Sequence, residues 1–205
     1  MNKGSNSELT IGKATLSTDE YLDIFRKSSA LLEGHFLLTS GKHSAQYMQC
    51  AQVLQYPDRA GVLAEGLAAT FRDMGVQTVI GPATGGILVA HEVAKALGVR
   101  ALFTEREDGV MRLRRGFTLS PGERVLVVED VITTGGSVRE VLSVVREFEA
   151  IPVGVGVLVD RTGGTIDFGL PQSSIIQLEI QAYEAHECPL CARGIPAIKP
   201  GSRKL

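Results

Sequence analysis

Residues 125–137 read VLVVEDVITTGGS: a run of apolar residues, then two carboxylates, then a loop of hydroxyls and glycines. The apolar run Val125–Val128 is typical of a buried strand, and Ser137–Phe148 has the pattern of a helix. A glycine-rich loop between a strand and a helix leaves backbone N–H groups free at the positive end of the helix dipole. The segment therefore predicts a strand, an anion-binding loop and a helix, in that order.

The alternation of strand and helix continues on both sides of this segment. We predict strands at Thr78–Gly81, Val99–Thr104 and Val153–Val159, and helices from Pro57 to Met74 and from Gly85 to Leu97. Continuous apolar strands that alternate with helices indicate a parallel sheet covered on both faces. Ligands of such sheets bind beyond the carboxyl ends of the strands, so the candidate site residues are those that follow each strand.

The N-terminal part is less regular. Residues 1–16 are predicted to be a tail, and Ser17 begins a capping box whose helix we expect to end at Gly34. Two strands are predicted at Phe36–Leu38 and Tyr47–Leu54. Residues 106–115 are expected to form a charged loop, and residues 186–205 an irregular tail.

Composition excludes several classes of protein. The chain has 205 residues, 44% of them hydrophobic and 21% charged, which is ordinary for a globular domain. Its net charge of −2 disfavours a nucleic-acid-binding protein. No apolar run reaches the roughly 18 residues that a membrane helix needs. Three cysteines, an odd number, do not indicate a disulfide framework, so we expect reduced thiols and a cytoplasmic location.

Two carboxylates, Glu129 and Asp130, directly precede the anion-binding loop. Acids beside a phosphate site are electrostatically unfavourable unless they have another task. They could accept hydrogen bonds from sugar hydroxyls or stabilise a developing ribosyl cation, and a ribose 5′-phosphate would use both the acids and the loop. The alternative is a solvated turn with a capping serine.

The segment 125–137 resembles the phosphoribosyl-diphosphate signature of type I phosphoribosyltransferases. This resemblance implies a single domain over residues 1–205, with a parallel-sheet core at 57–165 and a small hood formed by 17–56 and the C-terminal region. It also implies transfer of ribose 5-phosphate to a nitrogen nucleophile with loss of pyrophosphate, and a Mg²⁺ ion bound mainly through the diphosphate, with no side-chain cage. The expected phosphoribosyl-diphosphate residues are Glu129, Asp130, Val131, Ile132, Thr133, Thr134, Gly135, Gly136, Ser137, Thr84, Gly85 and Arg106.

Other segments resemble orotate phosphoribosyltransferases in particular. These are FLLTSGKHSAQY at residues 36–47, GPATGG at 81–86, Asp160-Arg161, and the tail from Cys188 onward. Arg161 could pair with the orotate carboxylate in a two-point contact, Thr133 could donate to it, and groups near Tyr47 and Met48 could bind the ring edge. The alternative for Arg161 is a surface ion pair with Asp160 or Asp167.

The charged segment 105–116 corresponds to the mobile loop of that family, and Arg106 is its one position-by-position match. We expect a lid in which Arg106 neutralises the leaving pyrophosphate, while Asp130 and Glu129 support the ribosyl cation; the three form the predicted catalytic set. The alternative is a solvated charged hairpin. The resemblance further implies a homodimer whose lid reaches the neighbouring site.

Cys188 and Cys191 form a lone CxxC pair. A zinc site needs four ligands, the second pair is missing, and Cys50 is distant in sequence. We therefore predict no metal ligands in the chain, and a zinc site at Cys188 and Cys191 is the alternative that stays open. His186 and Glu187 are near the pair, and none of the histidines is assigned a catalytic role.

Three other functions stay open. The first is a purine phosphoribosyltransferase of the same fold, against which the Ser40-Gly41 segment and Arg161 argue. The second is a regulator that binds phosphoribosyl diphosphate without turnover. The third is a hydrolase that uses Glu129 and Asp130 as acid and base, which the opposite directions of adjacent strand side chains disfavour.

Overall fold

The computed structural model describes residues 16–38 and 40–200, which form two sheets and six α-helices. The predicted tail, apart from Leu16, and Thr39 lie outside the described residues. The helices are α1 Thr18–Lys27, α2 Ala51–Leu54, α3 Pro57–Ala69, α4 Gly85–Leu97, α5 Gly136–Glu147 and α6 Pro189–Ala192. The strands are β1 Leu31–Leu37, β2 His43–Met48, β3 Thr78–Pro82, β4 Arg100–Glu107, β5 Val110–Leu113, β6 Arg124–Ile132, β7 Ile151–Asp160, β8 Gln172–Gln177 and β9 Ala182–Tyr183.

The larger sheet has the order β5-β4-β3-β6-β7-β8 and is parallel except for the edge strand β5. Its central strand β6 is apolar on both sides: Val125 and Val127 pack in the same cluster as α5, whereas Leu126 and Val128 pack in the cluster of α3 and α4. The predicted α/β architecture, a mostly parallel sheet flanked by helices, is therefore confirmed.

The smaller sheet has the order β1-β2-β9 and is antiparallel. Its first two strands come from the N-terminal part of the chain and β9 from the C-terminal part. The C-terminal segment continues along β1, where Ile198 donates to the His35 carbonyl at 2.9 Å and accepts from the Leu37 amide at 2.8 Å. The predicted division into a hood and a core at 57–165 stays a prediction.

The first helix is shorter than predicted. Its capping box forms as expected, with Ser17 N–H donating to the Glu20 carboxylate at 2.8 Å. The helix ends at Lys27, because Ser29 takes a left-handed conformation (φ 53°) and the chain turns into β1. Gly34 is therefore no helix stop: it lies at the irregularity in β1 pairing between Glu33 and Phe36.

The predicted strand Tyr47–Leu54 is wrong beyond Met48. The chain turns there, and residues 51–54 form the short helix α2, which buries Val53 and Leu54. Periodicity cannot separate a short apolar strand from a buried helical turn, so tertiary packing decides between them. The predicted irregular C-terminal tail also contains short elements, β9 and α6.

Candidate active site

The two acids lie inside β6 and not after it. Pairing of β6 with β7 continues as far as Ile132, which opposes Asp160. Glu129 is buried, whereas Asp130 is half-buried and accepts a hydrogen bond from the Val131 amide at 3.0 Å. Among the described residues neither acid takes part in an ion pair. Both carboxyl groups are therefore available to hydrogen-bond donors from a ligand.

The loop 133–137 borders a pocket. The pocket is lined by Glu129 and by residues 131–138. Within the described ranges, none of the five amides of residues 133–137 donates a hydrogen bond to a protein atom. Gly135 begins the turn into α5 at φ 70°, and a Cβ there would meet the Phe168 ring at 3.0 Å. The loop thus has the free donors and the helix N-terminus that an anion needs.

A second helix N-terminus borders the acid pair. Gly85 begins α4 directly after β3, and a Cβ at this position would overlap the Asp130 carboxyl group. Thr84 precedes it and is exposed. A side chain at residue 85 would therefore displace the Asp130 carboxyl group from this position. The predicted residues of the two loops, 84–85 and 129–137, are brought together at one edge of the sheet.

Arg161 follows β7 on the same edge of the sheet. Its Nε is buried and has no hydrogen-bond partner, and its guanidinium forms no ion pair within the described residues. The alternative ion pair with Asp160 does not form, since Asp160 accepts instead from the Thr162 amide at 2.7 Å. Asp167 likewise accepts from the Gly169 amide at 2.7 Å. Arg161 therefore carries an unpaired, partly desolvated cation.

The surroundings of Arg161 include the residue predicted for the ring edge and one that was not predicted. Burial lowers the pKa of Arg161, and the nearby Tyr47 and Cys50 act in the opposite direction by raising it. Cys50 is buried, its Sγ lies 3.6 Å from the Asp130 carbonyl oxygen, and burial followed by the charges of Asp130 and Glu129 raises its pKa. Met48 is buried on the same strand as Tyr47. No sequence pattern singles out Cys50, because only the fold brings it to β6.

Comparison with known proteins decides the family. A family model for the phosphoribosyl transferase domain matches residues 51–168. The orotate phosphoribosyltransferase of Pelotomaculum thermopropionicum is 57% identical over 190 residues, which are 93% of this chain and 100% of that protein. That of Caldanaerobacter subterraneus is 56% identical with the same coverage. The chain belongs to the orotate phosphoribosyltransferase family.

A crystal structure agrees with this assignment. The orotate phosphoribosyltransferase of Aeropyrum pernix superposes with a TM-score of 0.62 at 27% identity, covering 78% of this chain and 95% of the other. The predicted membership of the orotate phosphoribosyltransferase family is therefore confirmed. The roles of individual site residues stay predictions.

The segment that corresponds to the mobile loop of orotate phosphoribosyltransferases is not a loop in this structure. It is a hairpin in which β4 extends to Glu107, turns at Asp108-Gly109 and returns as β5. Arg106 forms an ion pair with Glu140 of α5 and donates to the Gly109 carbonyl at 2.9 Å. The other arginines of the hairpin also pair with acids: Arg112 and Arg114 with Glu107, and Arg115 with Glu105.

Glu129 differs electrostatically from its neighbour in the acid pair. Burial, followed by the charge of Asp130, raises the pKa of Glu129 to about 9. In the ligand-free enzyme at neutral pH, the raised pKa favours the protonated form of Glu129. Glu129 can then donate or accept a hydrogen bond toward a sugar hydroxyl.

One cluster of potential metal ligands was missed. His35, His43, Cys188 and Cys191 have ligand atoms that all lie within 4.8 Å of one another. The prediction of no metal ligands rested on Cys188, Cys191 and the residues near them in sequence. The structure adds a second pair of ligands, the two histidines of the smaller sheet. None of these four residues lines the pocket beside the acid pair.

No helix in the described ranges combines the length and the apolar character that crossing a membrane requires.

Proposed function

We propose that the site at the carboxyl edge of the larger sheet transfers ribose 5-phosphate from 5-phosphoribosyl 1-diphosphate to orotate. The products are orotidine 5′-monophosphate and pyrophosphate, a step of pyrimidine synthesis. A ring nitrogen of orotate bonds to C1′ of the ribose while the bond from C1′ to the pyrophosphate oxygen breaks. The electron pair of the broken bond leaves with pyrophosphate, and the proton of the ring nitrogen is released to water.

The observation that carries this proposal is the row of free amides directly after two acids without counter-ions. Residues 133–137 would hold the 5′-phosphate on the free N–H groups, with the hydroxyls of Thr133, Thr134 and Ser137 as further donors. Glu129 and Asp130 would hold the 2′- and 3′-hydroxyls of the same ribose. As positive charge develops on the ribose, the negative Asp130 stabilises the transition state more than the ground state.

The orotate end of the site is supported by Arg161. A guanidinium with a buried, unpartnered Nε has lost part of its hydration and has no protein group in exchange, so a carboxylate ligand would compensate it. Tyr47 and Met48 on β2 would lie at the ring edge. Because orotate is already an anion, the chain needs no strong general base.

The residues present also fit a Mg²⁺ ion carried by the diphosphate. Magnesium prefers oxygen ligands and keeps several waters, and the half-buried Asp130 offers a carboxylate with no competing cation. When bound, Mg²⁺ would neutralise charge on the leaving pyrophosphate. Thr84 and Gly85, at the N-terminus of α4, would contact the same group.

We further propose that the hairpin 105–116 acts as a lid, that the chain works as a homodimer, and that it is cytoplasmic. Arg106 would leave Glu140 and contact pyrophosphate when the lid closes, which would exclude water from the reacting centre. None of the three cysteines, which all lie in the described ranges, forms a disulfide, and this is in keeping with a cytoplasmic protein.

The test mixes the protein with phosphoribosyl diphosphate, Mg²⁺ and one of orotate, adenine or xanthine, and follows ultraviolet absorbance. Consumption of orotate is the expected result. Consumption of a purine would instead select the purine alternative, and binding without turnover would select a regulator. In the same assay Asp130→Asn should lower turnover by at least about 100-fold, as expected for loss of one preorganised charge. Near-normal turnover of this variant would remove Asp130 from the mechanism.

A further inference from the structure

Two histidines of the small sheet and two cysteines of the C-terminal segment meet at one point. His35 lies on β1 and His43 on β2, whereas Cys188 precedes α6 and Cys191 lies within it. His35 is 3% exposed and Cys188 2% exposed, so half of the cluster is withdrawn from water. Buried imidazoles and thiols placed together in this way need a common partner or mutual hydrogen bonds.

Distances within the cluster are close to those of a tetrahedral metal site. The Cys188 and Cys191 sulfurs lie 3.5 and 3.8 Å from His35 Nε2, and Cys191 Sγ lies 3.3 Å from His43 Nδ1. A tetrahedral zinc ion with bonds of about 2.1 Å to nitrogen and 2.3 Å to sulfur separates these ligand types by about 3.6 Å. The two nitrogens, 2.7 Å apart, would separate slightly to admit the ion.

A hydrogen bond at Nδ1 of His35 determines that the other ring nitrogen, Nε2, carries the lone pair. His35 Nδ1 lies 2.6 Å from the Ile195 carbonyl oxygen, which can only accept, so Nδ1 carries the proton. In the neutral ring Nε2 then presents its lone pair to the cluster. An imidazole oriented by a backbone carbonyl through its other nitrogen is the usual arrangement of a metal-bound histidine.

We propose that His35, His43, Cys188 and Cys191 bind one structural Zn²⁺ ion. Two neutral imidazoles and two thiolates balance the charge of the ion, and two thiol protons pass to water on binding. Four protein ligands leave no open position, so the ion would take no part in the reaction. Its effect would be to join the C-terminal segment to β1 and β2. The spacing of Cys188 and Cys191 is that of zinc-binding cysteine pairs.

The first test is the metal content of the full-length, tag-free chain purified without chelators. We expect one zinc per chain by mass spectrometry of the metal. After replacement of the metal, Co²⁺ should give the thiolate-to-cobalt charge-transfer band of a tetrahedral site with two sulfurs. The proposal fails if the chain has no zinc and takes up neither Zn²⁺ nor Co²⁺. It also fails if the native mass reveals a Cys188–Cys191 disulfide in place of a metal.

The second test compares two variants that differ only in whether the changed residue belongs to the cluster. Cys191→Ser changes the exposed ligand, which lowers the risk of misfolding. It should weaken Zn²⁺ binding at least about 100-fold, because loss of a group that only hydrogen-bonds to a metal ligand already weakens metal binding by up to about 100-fold. His186→Gln changes an exposed histidine close to the cysteine pair in sequence and should bind Zn²⁺ as the parent does. Equal affinities in the two variants would overturn the assignment. Chelation should lower the melting temperature of the parent but not that of Cys191→Ser, a readout independent of orotate turnover.

Discussion

The two adjacent acids differ in burial and in their electrostatic surroundings. Glu129 is buried and its pKa is raised, whereas Asp130 is half-buried against Gly85. The sequence predicted both acids as site residues but not this difference, because it depends on how deeply β6 is buried between its neighbours. The protonated form of Glu129 is favoured in the folded chain and not in the unfolded one.

The free energy of unfolding should therefore fall as the pH rises, and Glu129 should cause part of that fall. Its folded pKa of about 9 lies above the ordinary value near 4.5, so its contribution is fully present below pH 4.5 and is lost as the pH rises toward 9. Glu129→Gln removes this loss. The melting temperature of the ligand-free variant minus that of the parent should therefore be at least about 2 °C greater at pH 9 than at pH 5.

The control for this measurement is Glu147→Gln, which changes an exposed acid at the end of α5. Its melting temperature should follow that of the parent across the same pH range. A constant difference between Glu129→Gln and the parent at both pH values would contradict the raised pKa.

Arg161 should act on orotate and not on the diphosphate substrate. Replacing Arg161 by Gln removes a charged two-point hydrogen bond, so the KM for orotate should rise about 10- to 100-fold, while the KM for phosphoribosyl diphosphate should change little. Steady-state kinetics with each substrate varied in turn measures both. Arg146→Gln, on the exposed end of α5, is the matched control. Equal increases of both KM values would mean that Arg161 has a general structural role.

At the scale of elements, prediction succeeded where local signals and packing agree. The strand β3 and the helix α4 with its stop at Gly98 lie where periodicity and glycines indicate. It failed at the end of α1 and at residues 49–54, since the chain there follows the pairing of β1 with β2 and not its own apolar spacing. Residues 106–115 were predicted as a charged loop, with a solvated charged hairpin as the alternative. The structure contains the hairpin, because β4 and β5 pair as an antiparallel ladder that the charged side chains do not reveal in the sequence.

The ion pair between Arg106 and Glu140 should hold the hairpin to α5 and so compete with the proposed contact of Arg106 with pyrophosphate. Arg106→Gln should raise the KM for phosphoribosyl diphosphate about 10-fold, by loss of one charged contact to pyrophosphate. Glu140→Gln releases Arg106 and should lower the same KM. Because the pair is exposed, neither change should alter the free energy of unfolding by more than about 1 kcal/mol. Unchanged kinetics of Arg106→Gln would place pyrophosphate elsewhere.

For the whole molecule, the sequence predicted the larger sheet and the edge at which the site lies, but not the cluster of His35, His43, Cys188 and Cys191. About 150 positions separate the histidines from the cysteines, and no local pattern reports contacts over that distance. Family resemblance supplied the assignment to orotate, which packing alone does not specify.

The proposed exchange of lids between subunits can be tested by mixing two impaired variants and assaying them at a phosphoribosyl diphosphate concentration below the KM. If Arg106 reaches the neighbouring site, a mixed dimer of Arg106→Gln and Asp130→Asn has one site with both native residues. Random reassortment should then restore about a quarter of the parental turnover. A mixture no more active than the mean of its two components, with exchange verified by native mass spectrometry, would place Arg106 in the site of its own subunit.

The smaller sheet joins β1 and β2 to β9 and to Ile198, so its partners are separated by most of the polypeptide. During translation, β1 and β2 are made well before β9, the strand that completes their sheet. A chain that lacks β9 would leave one edge of β2 unpaired, with backbone groups open to proteases.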